Sequence, residues 1–321
     1  MKKLIANLLP IVDVLILPFM YPAALLMKAV RYGGIARMPL TKKVLLQVGV
    51  FPIRRHYYEP QFDFRDLPKP LSVERSLAGI NWNVDGQLAL LRDLDYREEL
   101  KHIGNRSPGG PGFHFNNGAF ESGDAEFWYS LIRNQRPRRI IEIGSGYSTL
   151  IAIEAIKKNR EQDRHYHCDH VCIEPYEHSW LENSPVKVVR KKVEELPVAY
   201  FSELGEGDIL FIDSSHILRP QGDVVFELLE LLPSLAQGVI VHIHDIFSPR
   251  DYLEAWLHED VRMWNEQYLL EAFLTHNSQW QIVASLNFLH HHYFDQLAEV
   301  CPYLEPSREP GSFYIRRIST S

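Results

Sequence analysis

The sequence has few cysteines and no surplus of positive charge. Cys168, Cys172 and Cys301 are the only cysteines in 321 residues; they form no zinc pattern, and an odd count suits a reducing compartment. His165, His167 and His170 lie near the first two, but a metal centre needs four convergent ligands. The plainer expectation is a histidine-rich surface loop beside a buried strand cysteine. A formal net charge of −7 and a pI near 6.1 argue against a nucleic-acid partner, which usually meets a basic surface. Also missing is a small-x-small cleavage site after the apolar N-terminus, so a cleavable signal fits poorly. A hydrophobic content of 45% still supplies a full core, for one large domain or one domain with an appendage.

The most telling phrase that is present runs from Ile140 to Thr149. An apolar run broken by Glu142 turns on Gly144 and Gly146, then enters a helical pattern over residues 150–156. This predicts a strand ending in a tight turn where the backbone meets a ligand, the glycines removing Cβ atoms that would block the approach. Ser148 or Thr149 is expected to cap the helix. A dinucleotide fingerprint needs a third glycine where Thr149 stands, and its pyrophosphate disfavours a nearby Glu142. A cationic sulfonium ligand would welcome that acid. Further strand patterns follow at 171–174 and 186–190, at 207–213 ending in Asp213, at 238–245 ending in Asp245, and at 280–286 and 312–318. The polar stretch 157–170 reads as a loop insertion. Together these segments predict an α/β, doubly wound, mostly parallel sheet with its ligand crevice at the carboxyl ends of the strands.

The phrase E-x-G-x-G-x-S/T resembles motif I of the class I S-adenosylmethionine-dependent methyltransferases. Glu174, the acids Glu194 and Glu195, and Asp213 with His216 three residues on follow it in that family's order, over roughly residues 120–318. The resemblance implies a Rossmann-like seven-stranded sheet with an antiparallel last strand, and S-adenosyl-L-methionine as cofactor. It assigns cofactor contacts to Glu142, Gly144, Ser145, Gly146, Ser148, Glu174 on the ribose hydroxyls, Glu194 near adenine, and Asp213. The acceptor is expected to be an oxygen of a small molecule or glycan, whose proton must be removed. His216, His244 and Asp245 are the catalytic candidates. Alternation on a strand puts His242 and His244 on one face and Asp245 on the other. His244, nearer the tip, is the better base, and His242 reads as a buried strand histidine. Asp213 and Asp245 with an imidazole could instead hold Mg2+, an arrangement that some sugar and catechol O-methyltransferases of this fold resemble. The doubled acid common there is absent, since Ile246 follows Asp245, so a metal-free histidine base is preferred. A non-catalytic nucleoside-binding protein would not need these bases, and a dehydrogenase is disfavoured by Thr149 and Glu142.

Residues 1–60 read as an apolar appendage, 61–119 as a connecting and lid region, and 120–321 as the transferase domain. Residues 4–30 are strongly apolar between Lys2, Lys3 and Lys28, Arg31, Arg37, yet contain Pro10, Asp13, Pro18 and Pro22. Three readings stand: an interfacial or re-entrant membrane anchor, an appendage packed on the domain or a second subunit, and a true span. The expected location is cytoplasmic, peripheral on the inner face of the membrane if this segment anchors; the oligomeric state stays open. Residues 109–120 mix glycines with aromatics and amides, an expected lid offering His114, Asn116 and Asn117 to the substrate. A helix N-cap is expected at 122–126. Residues 253–273 read as one helical pattern with Trp256, Trp264 and Tyr268, and 290–293 as a polar turn.

Overall fold

Short apolar runs become strands when both faces of a parallel sheet are covered, and here they do. The computed structural model describes residues 2–318 except 56, 57, 59, 105–111, 116 and 177, with side chains from residue 8. Its strands are β1 (Arg139–Ile143), β2 (Asp169–Ile173), β3 (Lys187–Val189), β4 (Ile209–Ile212), β5 (Ile240–Ile243), β6 (Trp280–Ser285) and β7 (Phe313–Arg317). They form one sheet in the order β3-β2-β1-β4-β5-β7-β6. Strands β1 to β5 are parallel, and β7 runs antiparallel to both β5 and β6. This is the doubly wound α/β sheet with an antiparallel last strand that the sequence predicts. Every residue of β4 and β5 is buried, which is why neither strand alternates in polarity.

The chain forms two compact units, residues 1–68 and 69–321. The first contains α1 (Lys2–Gly33) and α2 (Pro39–Val48). Pro10, Pro18 and Pro22 lie inside α1, which is nevertheless one continuous helix. The second unit begins before the sheet with α3 (Val84–Asp93) and α4 (Arg97–Leu100), followed by α5 (Asp124–Gln135) and α6 (Tyr147–Gln162). Leu91, Leu94 and Leu100 share a core with Trp128 and Leu131 of α5, Ile151 and Ala155 of α6, and Ile140, Phe211 and Tyr314 of the sheet. The opposite face packs Ile141, Ile143, Leu210, Ile212, Val241 and Ile243 against Leu228, Leu231 and Leu270. The buried Arg133 pairs with Glu99 through two bonds of 2.7 and 2.8 Å, and Tyr129 donates to the same carboxylate. Residues 84–100 therefore belong to the sheet's own core.

Three local expectations change. The polar stretch after Ile156 is mostly the last turns of α6, where Asn159 is buried and donates to the Ile132 carbonyl, so the loop is short. Residues 253–273 break into helices Glu254–His258 and Glu266–Leu274, with Val261 left-handed between them at φ 55°. Similarly, the histidines at 290–292 end the helix Leu286–His292 instead of forming a turn.

Candidate active site

The carboxyl ends of β1, β2 and β4 open into a crevice of about 420 Å³ lined by Gly144, Ser145, Glu174, Tyr176, Lys192, Glu194, Asp213 and Asp223. The strand tips put three predicted acids, Glu174, Glu194 and Asp213, around one space. Ser145 Oγ is buried there without a hydrogen-bond partner among the described residues. Glu174 is buried and accepts the Tyr176 N–H at 2.9 Å. A small polar ligand carrying positive charge fits these acids and that hydroxyl.

The glycines of the turn have separate reasons. Gly144 has φ +81°, and a Cβ there would stand 2.1 Å from the Asp213 carbonyl oxygen. Its absence of a side chain therefore serves the close approach of two strand ends, not only that of a ligand. A Cβ on Gly146 would meet His178 at an ordinary 3.5 Å. Thr149 rather than Ser148 supplies the cap: its Oγ1 accepts the Gly146 N–H at 3.1 Å and donates to Glu142 Oε2 at 2.5 Å. Ser148 is buried, with its carbonyl receiving the Trp128 indole, and does not line the crevice.

Glu142 is also off the crevice. Strand alternation turns its fully buried side chain toward α6, where Thr149 and the Cys172 thiol donate to it and His170 lies 3.2 Å away. The expected contact with a sulfonium is replaced by an internal polar network. This network, and not the predicted loop of His165, His167 and Cys168, is where His170 and Cys172 converge.

Next to the crevice, β4 and β5 end in a cluster of acids and imidazoles. His216 Nε2 lies 3.2 Å from Asp213 and 3.5 Å from Asp245, while its Nδ1 meets Glu266 at 2.9 Å. His244 Nδ1 lies 3.3 Å from Asp245 and 3.8 Å from Asp213, and its Nε2 is 3.6 Å from Asp124. Alternation alone would have separated Asp245 from His244. Instead Asp245 is left-handed, as is His216, both at φ 60°, so the chain turns and the side chains converge. Non-glycine residues held there concentrate at functional sites. Trp264 packs on His216 with ring centres 4.2 Å apart, and Arg262 lies over both Trp264 and Trp256.

Residues 141–246, which hold the glycine turn, the crevice acids and Asp213, His216, His244 and Asp245 of this cluster, match the family model of a methyltransferase domain. This stretch of the chain is similar to a methyltransferase domain. An uncharacterized protein of Archaeoglobus fulgidus is 28% identical over 175 residues, 48% of this chain and 74% of that one. A crystal structure of an O-methyltransferase from Bacillus cereus in complex with SAH aligns over 73% of this chain and 91% of its own, at 14% identity and a TM-score of 0.37.

Burial and neighbouring charges set the protonation of the cluster. Burial works to lower the His216 pKa, but Asp213, Glu266 and Asp245 outweigh it and hold the imidazole well above its ordinary value. His244 is likewise raised against burial, by Asp245, Asp124 and Asp213. Burial raises the Asp213 carboxyl, yet hydrogen bonds from both histidines overcome it and keep it low. By contrast His242 is fully buried, stacked 4.1 Å from Tyr314 and 2.8 Å from Ser312 Oγ, and burial holds it neutral. That is the buried strand histidine expected.

The predicted lid contributes less than expected. Both ends of the Asn117 amide hold their own turn, donating to the His114 and Phe120 carbonyls and accepting the Ala119 and Phe120 N–H groups. Such an occupied amide is not available to a substrate. His114 is buried against Tyr147 at 5.4 Å, and Asn116 lies outside the described residues. The N-cap at 122–126 is as expected: Glu126 reaches back to the Gly123 N–H at 2.6 Å and to Ser122 Oγ. Asp124 and Glu266 were not singled out as site residues from the sequence, whereas Trp264 was one of the aromatics of residues 253–273 that could wall an acceptor pocket. Of the two missed, only Asp124 carried a signal, its position right after the glycine loop.

Proposed function

We propose that the domain moves the methyl group of S-adenosylmethionine to a hydroxyl of a small-molecule or saccharide acceptor. The observation that carries this reading is the double role of Asp213, which lines the crevice and also touches both imidazoles of the cluster. S-adenosylmethionine supplies an electrophilic methyl group, and Glu174, Glu194, Ser145 and Asp213 are the residues that would hold it. The acceptor oxygen forms the C–O bond as the C–S bond breaks, and its proton passes into the cluster through His216 or His244. Trp264, half-buried against His216, would bring an aromatic ring beside the acceptor, a neighbour suited to a sugar or aryl ring.

Calorimetry with S-adenosylmethionine, S-adenosylhomocysteine and NAD tests the donor, and mass spectrometry of a hydroxylated acceptor panel tests the reaction. Saturable binding of both sulfur ligands and an acceptor mass gain of one methylene are expected. Tight NAD binding with no response to either sulfur ligand would sink the proposal.

A second reading is favoured by Asp213, His216 and Asp245, whose ligand atoms all lie within 4.8 Å of one another. Two carboxylates and an imidazole would hold a divalent cation, whose charge would lower the pKa of a bound hydroxyl. Turnover that survives exhaustive chelation would exclude this variant and leave the histidine base.

A further inference from the structure

We infer that Glu142, His170 and Cys172 form a binding site for a zinc ion beneath α6, a second centre separate from the histidine–carboxylate cluster. Strand pairing brings the three together. Glu142 of β1 and Cys172 of β2 are directly paired across the sheet, and His170, two residues before Cys172, points to the same face. Glu142 and Cys172 are fully buried, and only 4% of His170 is exposed. Their ligand atoms all lie within 4.8 Å of one another. The set joins a carboxylate, an imidazole and a thiol, the donors that zinc takes.

Distances and unmet polar atoms both point to a cation. Glu142 Oε2 lies 3.2 Å from His170 Nε2 and 3.4 Å from Cys172 Sγ. Tetrahedral zinc at ordinary bond lengths holds an oxygen and a nitrogen about 3.3 Å apart, and an oxygen and a sulfur about 3.5 Å apart. A histidine and a carboxylate this close would normally share a hydrogen bond. Yet neither ring nitrogen of His170 has a hydrogen-bond partner among the described residues, and neither does Glu142 Oε1. Such atoms, buried between a sheet and a helix, cost stability unless something meets them. A cation held by Oε2, Nε2 and Sγ would satisfy the imidazole. A cavity of about 240 Å³ lies against His170, walled by Ile153, Ile156, Cys168 and the charged Lys157, Arg160 and Glu161. It gives the ion a way in and a water for its fourth position. Thr149 donates to Glu142 Oε2 and so orients the carboxylate, as an outer-shell partner does. Without metal the thiol keeps its proton, which it donates to Glu142. Binding forms the zinc–sulfur bond and releases that proton to water.

Cobalt(II) is the probe, because a cobalt–thiolate bond gives a near-ultraviolet charge-transfer band that oxygen and nitrogen ligands do not. Full-length protein, stripped with chelator and kept reduced under argon, is titrated with Co2+ and then with Zn2+. The band should saturate at about one Co2+ per chain, and Zn2+ should abolish it by displacement. Cys172→Ser should lose the band while Cys168→Ser and Cys301→Ser keep it, and His170→Asn should weaken Co2+ binding at least about tenfold. Asp245→Asn should leave the band unchanged, which separates this centre from the strand-end cluster. If a variant does not fold, the unmodified protein decides: no thiolate band at saturating Co2+ overturns the inference. So does a band that survives Cys172→Ser, or one lost in Cys168→Ser, which would put the metal in the outer cavity instead.

Discussion

Replacing Gly144 with alanine tests why the glycine turn exists. The residue sits at φ +81°, and the added Cβ would stand 2.1 Å from a backbone oxygen of Asp213, which cannot rotate away. The left-handed conformation costs an alanine about 1–2 kcal/mol, and parting the ends of β1 and β4 adds about 1–3 kcal/mol of overpacking. Gly144→Ala should therefore lose roughly 2–5 kcal/mol in urea unfolding followed by tryptophan fluorescence. For a unit of this size that lowers Tm by about 5–15 °C. Gly146→Ala is the control, because its Cβ meets only His178 at 3.5 Å; it should stay within about 1 kcal/mol of the parent. The two variants differ by one methyl group each, two residues apart. Equal stability losses would refute the claim that Gly144 answers to Asp213, and would return both glycines to a common role in ligand approach.

Four further outcomes follow from the cluster and the core. The His216 and His244 pKa values are raised on folding, so their stabilising contribution is complete below about 6.5 and is lost as pH rises through the folded-state values. Melting temperature should accordingly fall above neutral pH, and less steeply in His244→Asn; a slope unchanged by that substitution would contradict the assignment. Under the histidine-base reading, kcat should also rise with pH through an apparent pKa above 6.5, and a limb at or below 6.5 would remove the carboxylates from the explanation. Trp264→Ala should raise KM for the acceptor about tenfold while leaving S-adenosylhomocysteine affinity within about twofold; equal loss in both would place the ring on the donor side. Glu99→Ala should cost about 2–4 kcal/mol by leaving Arg133 buried without its carboxylate, which denaturant unfolding can measure. A cost near zero would mean that α4 is peripheral to the core.

The sheet was legible because parallel strands covered on both faces are written as unbroken apolar runs, and β4 and β5 are buried at every residue. The crevice acids were legible for the same reason: a carboxylate that ends such a run, as Glu174 and Asp213 do, sits at a strand tip. Glu142 shows where spacing misleads. Counting back from Gly144 gave it a ligand, whereas one step of strand alternation sends it under α6 to Thr149. Asn117 misled in another way, since an amide rich in hydrogen-bonding capacity spends that capacity on its own turn when the turn is tight.

The histidine–carboxylate cluster could be read only in part, and the missing part is physical. His216, His244 and Asp245 were visible as strand-end residues, but their convergence depends on two positive φ angles at non-glycine positions, which leave no compositional trace. Glu266 and Trp264 reach the cluster from the far side of a broken helical stretch, and Asp124 arrives from the start of α5. Asp124 also accepts the Gly311 and Ser312 N–H groups, so it ties the loop before β7 to the imidazole ending β5. Three elements distant in sequence thus close around two histidines, and the carboxylates they bring outweigh the burial that would otherwise leave both rings neutral. Asp213 is the point of contact between that charge and the crevice, and its backbone oxygen is what leaves no room for a side chain at Gly144. The glycine that first marked the turn is therefore tied, through one aspartate, to the groups proposed to take the acceptor proton.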